Sequence, residues 1–183
     1  LVQAFWNAAR FAYLSGATVV LQGVYGLTPF QYALAFGLNS AGFALFGYLG
    51  GRASARWSVR GTLVIGVAIA GTGALGMLVA GLVHVPLMAV IVSLLLLVSG
   101  TAMASPPSTT TALAGYPHVA GSASSFLGAT RFAFGGAVAP LVGVAGALNI
   151  LPLGIVTTAS VLLAAIAGTV FLARRPPISS PHI

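Results

Sequence analysis

Arginines, amides, hydroxyls and three histidines carry all the polar chemistry of this chain, which contains no Asp, Glu, Lys or Cys. Without a carboxylate there is no acidic general base or side-chain ion pair, and without a thiol no disulfide, thiolate metal site or cysteine nucleophile. Gly121-Ser122-Ala123-Ser124 has the look of a nucleophile turn. However, His84, His118 and His182 all fall in connections or the tail, so none stands ready as its base. An enzyme is therefore the least favoured class. What remains is hydrogen bonding and positive charge set inside apolar segments.

Three stripes concentrate that chemistry. Gln3, Asn7 and Arg10 recur at i, i+4 and i+7, the spacing of one helical face. They read either as a cavity wall, touching substrate or another part of the protein, or as an interhelical hydrogen-bond seam with Arg10 snorkelling to the interface. Tyr32 and Asn39, seven apart, form a second stripe with Asn39 near the middle of its segment. Cavity lining and packing fit it equally, since polar contacts between membrane helices contribute only about 1 kcal/mol. In the third, Gly121, Ser124, Gly128, Arg131 and Gly135 share a face whose small members permit close helix approach. Arg131 facing lipid would cost about 2.5–3.5 kcal/mol, so it is expected to point inward. There it can bond backbone carbonyls, an anionic substrate group or an acid on a missing half of the protein.

The elements that position these residues are membrane helices. The 183 residues are 58% hydrophobic and 4% charged, with a mean hydropathy of +1.07, too few polar groups to cover a water-facing surface. A bilayer core needs about 20 apolar residues per helix. Six such stretches fit: Val2 to Leu21, Phe30 to Gly50, Gly61 to Val83, Pro86 to Ser105, Val119 to Ala145 and Pro152 to Ala173, with residues 174–183 as a cytoplasmic tail. Turn chemistry marks the connections at Tyr25 to Pro29, His84-Val85-Pro86, Ser105-Pro106-Pro107-Ser108 and Asn149 to Pro152.

The net charge of +7 would suggest nucleic acid in a water-soluble protein, but scattered arginines make no phosphate-binding patch. They mark topology instead. Arg52, Arg56 and Arg60 follow the second stretch as a basic cytoplasmic loop, and Arg174 and Arg175 follow the sixth. The positive-inside rule then places the start of the first span and the carboxyl terminus in the cytoplasm. Three spans followed by three of opposite starting orientation have the geometry of an inverted repeat. The third and sixth spans lack Asn, Gln, Arg and His within the membrane and suit a peripheral, lipid-facing position. Gly66, Gly71, Gly73, Gly76 and Gly81 of the third read as helix-packing positions, since no Lys, acid or preceding strand makes them a phosphate loop.

Two longer motifs carry a family resemblance. Val24-Tyr25-Gly26-Leu27-Thr28-Pro29 leading to Phe36-Gly37-Leu38-Asn39-Ser40-Ala41-Gly42 resembles the connection between helices seven and eight of the bicyclomycin-resistance (Bcr/CflA) drug:proton antiporters, within the major facilitator superfamily. Pro117-His118-Val119-Ala120-Gly121-Ser122-Ala123-Ser124-Ser125 is similar to that family's entry into helix eleven. Arg52, Arg56, Trp57 and Arg60 are similar to its basic connection between helices eight and nine. The sequence departs from the pattern at Ser58, where Gly is usual, and at Pro106, Pro107 and Thr109.

The resemblance implies the carboxyl-terminal half of a twelve-helix transporter in a bacterial inner membrane. It implies export of drug-like amphipathic molecules by alternating access, driven by a proton gradient, with no cofactor or metal. The coupling acid is then expected in an amino-terminal six-helix half. The opening Leu1-Val2-Gln3, without an initiator Met, is read as the interior of a longer protein. The competing reading is a self-contained six-span protein that oligomerises through its small-residue faces and forms a channel.

Overall fold

Local chemistry starts and stops the helices. The computed structural model is all-helical and describes residues 2–83, 85–114, 117–145 and 150–173, with side chains at 2–4, 117, 138–139, 141–145 and 169–173 excepted. Helix α1 runs Val2–Thr18 and continues as one wider π-helical turn, Val19–Val24. Gly26, at φ +66, ends it in the left-handed conformation that only glycine adopts freely. Tyr25 N–H then reaches back to the Val20 carbonyl and Leu27 N–H to that of Leu21.

Helix α2 (Pro29–Arg56) begins with a reciprocal cap: Thr28 Oγ1 accepts from Gln31 N–H, and Gln31 Oε1 accepts from Thr28 N–H at 3.0 Å. Pro29 at the first position needs no donor. Helix α3 (Val59–Leu82) is capped by Ser58, whose hydroxyl accepts from Gly61 N–H at 2.8 Å. A glycine in that place would lack the oxygen.

Helices α4 (Leu87–Leu113), α5 (Ala120–Ala145, entered through a 3-10 turn at Pro117–Val119) and α6 (Leu151–Ala173) complete the bundle. Among the described residues, four helices are long and apolar enough to cross a membrane: α2, α3, α4 and Leu151–Gly168 of α6.

Two helices overrun their expected ends. α4 was expected to stop at Ser105 but passes through Pro106 and Pro107 to Leu113. Each proline removes one backbone donor, which leaves the Ala102 and Met103 carbonyls without their helical partners. In the following turns hydroxyls add bonds to other carbonyls, Ser108 donating to Ala104, Thr109 to Ser105 and Thr111 to Pro107. The Met103 carbonyl, left without its partner by Pro107, is covered by the backbone of Gly50 on α2. α2 likewise runs on to Arg56. Arg52 and Arg56 therefore lie on its last turns and Arg60 in the first turn of α3, leaving only Trp57 and Ser58 between helices. Arg56 in that last turn complements the helix dipole, which favours continuing the helix over a basic loop.

α4 is the most buried of the four apolar helices, packed between α3 on one side and α2 on the other. Against α3 the approach is backbone to backbone. A Cβ placed on Gly66, Gly73 or Gly100 would fall under 3.0 Å from main-chain atoms of the facing helix. α6 joins α3 similarly, with Gly81 against Leu151, Gly154 against Leu78, and Thr158 Oγ1 donating to the Ala74 carbonyl at 3.1 Å. The outer faces of α3 and α6 expose Val64, Leu75 and Val79, and Leu162 and Ile166, as lipid-facing helices would. Gly71 points into open space and so packs nothing within the chain.

Candidate functional site

Where α2 meets α1 and α4 the packing opens. α1 places Arg10, Tyr13 and Leu14 on one stripe, α2 places Phe36, Asn39, Ser40 and Phe43 opposite, and α4 closes the floor with Val98. Together they line a cleft of about 250 Å³. A smaller hollow of about 20 Å³ adjoins it, lined by Trp6, Asn7, Thr101 and Ser105, with Arg10 and Phe43 shared between the two.

The depth of Arg10 follows from its neighbour. Its guanidinium carbon lies 4.3 Å from the centroid of the Phe43 ring, and Phe43 stands at the midpoint of α2. At 1.5 Å per residue about 20 Å of helix extends to either side. Snorkelling to an interface, one of the two roles expected for Arg10, is therefore not what it does. The cation sits halfway along the bundle on an aromatic face, an interaction that stabilises by about 0.5–2 kcal/mol depending on hydration.

Asn39 is 1% exposed, and neither its Oδ1 nor its Nδ2 has a hydrogen-bond partner. The Tyr13 phenol lies within electrostatic reach of that amide without the geometry of a hydrogen bond. Ser99 Oγ and Trp6 Nε1 are likewise buried and unpartnered. The Ser99 oxygen lies only 2.9 Å from where a Cβ on Gly42 would be. Among the described residues, every buried side-chain polar atom without a partner, apart from Nε of Arg131, belongs to these three helices. Each such group costs about 1–3 kcal/mol when left unsatisfied. Asn39 and Trp6 belong to the walls of the cleft and the hollow, whereas Ser99 lies between α2 and α4.

The other candidates separate from this site. Tyr32 does not line the cleft. Its hydroxyl accepts from Thr18 Oγ1 at 2.9 Å and ties α2 to the far end of α1. Arg131 is half-buried and donates from Nη2 to Thr109 Oγ1 at 2.8 Å, bridging α5 to the stretch of α4 beyond its prolines. Of the small residues expected to pack α5, only Gly135 does so, against the Phe11 ring; Gly121 and Gly128 meet nothing and Ser124 is exposed. α5 rests on α1 through its later turns, with edge-on contacts of Phe5 to Phe134 and Phe11 to Phe132. Its first turns are left uncovered. The side chain of Gln3, together with His84, Asn149, Arg174, Arg175, His182 and the tail, lies outside the described residues.

Tyr13, Phe36, Phe43, Ser99 and Trp6 were not singled out from the sequence. A signal existed for three of them, because Tyr13 follows Arg10 by three and Phe36 and Phe43 flank Asn39 by three and four. Ser99 and Trp6 had none, being a lone hydroxyl and a lone indole in apolar runs. Away from the cleft, the Tyr25 phenol in the α1–α2 connection donates to the Val85 carbonyl at 2.8 Å. Burial pushes its pKa up, which keeps it a neutral donor.

The cleft thus offers one positive charge, a hydroxyl and aromatic faces along an open groove. The model of the Major Facilitator Superfamily matches residues 1–140 of the chain. The chain belongs to the Major Facilitator Superfamily. It is also 30% identical over 144 residues to a Bacillus subtilis (strain 168) protein described as the uncharacterized MFS-type transporter YdgK. The match covers 79% of this chain and 36% of that relative, so the chain spans little more than a third of the relative's length. No solved structure matches the chain at a significant level. Membership in this superfamily points to membrane transport rather than to catalysis. With its long apolar helices, it makes this a multi-pass membrane protein.

Proposed function

We propose that the six helices form the carboxyl-terminal half of a secondary transporter of the Bcr/CflA type, a proton-coupled exporter of amphipathic small molecules working by alternating access. The carrying observation is the mid-depth cleft, where an Arg without a counter-ion borders about 250 Å³ of space between aromatic side chains, with an unpartnered amide buried in the wall. In a two-half transporter the substrate site lies between the halves near the bilayer midplane. A groove open on one side at half-depth is the surface such a site would need from one half. The uncovered turns of α5 and the exposed face of α2 suit contact with the other half.

The coupling carboxylate would come from the amino-terminal half, as this chain has none. Location in a bacterial inner membrane with the carboxyl terminus in the cytoplasm follows from the same reading and from the arginines at the α2–α3 junction. The test has two arms. The sequence upstream of Leu1 should encode six further spans, one with an embedded Asp or Glu. The full-length protein, expressed in a drug-sensitive bacterium, should lower energy-dependent accumulation of an amphipathic dye, and a protonophore should abolish the effect. Upstream sequence without membrane spans, or passive conductance by a homo-oligomer in liposomes, would defeat the proposal.

A further inference from the structure

The cleft also has a charge preference, and that preference names a substrate class. We infer that it takes an amphipathic organic oxyanion, with a carboxylate-like head on Arg10 and a flat apolar body along Phe36, Phe43 and Leu14. This rests on the transport reading above and deepens it.

Three observations converge. First, the chain has no Asp or Glu, and among the described residues the Arg10 guanidinium has a ring beneath it but no hydrogen-bond acceptor. Its five N–H donors are thus open to a ligand, in a planar fork that matches a carboxylate. Second, the exposed Ser40 lines the same cleft and brings a hydroxyl to it, next to Asn39, whose amide has no hydrogen-bond partner but is buried behind the wall. The hydroxyl can donate to a remaining lone pair of an oxyanion or bond a neighbouring polar group. Third, the rest of the wall is aromatic and aliphatic, which suits an apolar body and leaves a small hydrophilic ion poorly held. An organic cation meets the wrong sign at the one charged position. A lipid head group is excluded by depth, since Arg10 is level with the middle of α2 whereas head groups lie at the ends of membrane helices.

Arg131 does not share this role. Its guanidinium is already engaged by Thr109, and it lies on α5 outside the cleft lining. The site is therefore a single cation with an amide neighbour, suited to a singly charged head.

The experiment uses the full-length protein, purified in mild detergent, and three isosteric probes measured by equilibrium dialysis: 2-naphthoate, neutral 2-naphthamide and cationic 2-naphthylmethylammonium. Naphthoate is expected to bind about tenfold or more tighter than the ammonium probe, a difference of about 1.4 kcal/mol. Arg10→Gln should weaken naphthoate by about tenfold while leaving naphthamide within about twofold, and Arg10→Lys should recover part of the loss. Arg10→Lys also keeps the charge should Arg10→Gln fold poorly.

Tighter binding of the ammonium probe, naphthoate affinity unchanged in Arg10→Gln, or no naphthoate binding at all would each overturn the inference. If Arg10 instead pairs with an acid of the amino-terminal half, Arg10→Gln lowers the melting temperature of the unliganded protein and leaves naphthoate affinity unchanged, which also overturns it. Dye export that persists in any of these cases keeps the transport reading and discards only the substrate class. Absence of dye export by the wild type discards the reading beneath it.

Discussion

α4 has two sides that solve opposite problems. Toward α3 its backbone is brought into contact through Gly66, Gly73 and Gly100, with no room for even a methyl group. Toward α1 and α2 the same helix, at nearly the same height, borders a cleft through Val98, and unpartnered polar atoms are buried nearby at Asn39 and Ser99. In lipid no hydrophobic force drives helices together, so stability must come from close van der Waals packing. The α3–α4–α6 side supplies that packing. The α1–α2–α4 side gives some of it up, as expected where a surface is kept for a ligand rather than for folding.

The largest test strikes the dry side. Gly73→Leu forces a side chain into the main chain of Ser93 and Leu97. It should destabilise the protein by about 3 kcal/mol or more, read as loss of monodisperse protein in detergent. A well-folded variant would mean that the two helices are not in backbone contact. Next comes the bridge between α4 and α5. Thr109→Val removes the acceptor of Arg131 and should cost about 1.5 kcal/mol in thermal denaturation. In a double-mutant cycle with Arg131→Met the two losses should not add.

The wet side predicts the reverse sign. Asn39→Leu removes two unsatisfied buried atoms and should raise stability by about 1 kcal/mol while lowering export of the substrate. A loss of stability with export unchanged would make Asn39 a packing residue and erase the contrast between the two sides. The smallest effect is an internal control on α3. Gly71 meets nothing within 4 Å, so Gly71→Ala should gain about 0.5–1 kcal/mol through helix propensity, whereas Gly73→Ala two residues on should lose stability.

Much of this was legible in the residues. Thr28 with Gln31, and Gly26 before them, specify the α1–α2 junction through contacts within a few residues, and such contacts survive any tertiary arrangement. Arg10 and Asn39 were each recognisable as costly in an apolar helix. What was not legible was that they share one cleft, because nothing in either stripe records the register of α1 against α2. The α5 stripe misled for the same reason. Gly121, Ser124 and Gly128 have the spacing of a packing face, but of that stripe's glycines only Gly135 meets α1.

The sequence by itself determined that this is a bundle of apolar helices, where several of them begin, and that the chain carries no carboxylate side chain or thiol, since these follow from composition and near-neighbour hydrogen bonds. Only the tertiary structure decided that α4 continues through Pro106 and Pro107, that glycines two residues apart on α3 have unlike surroundings, and that Arg10 lies at mid-depth over Phe43. The physical reason is common to all three. A freed carbonyl, a missing Cβ or a charge in an apolar helix acquires its meaning from the helix that comes to lie against it, and that helix is distant in sequence.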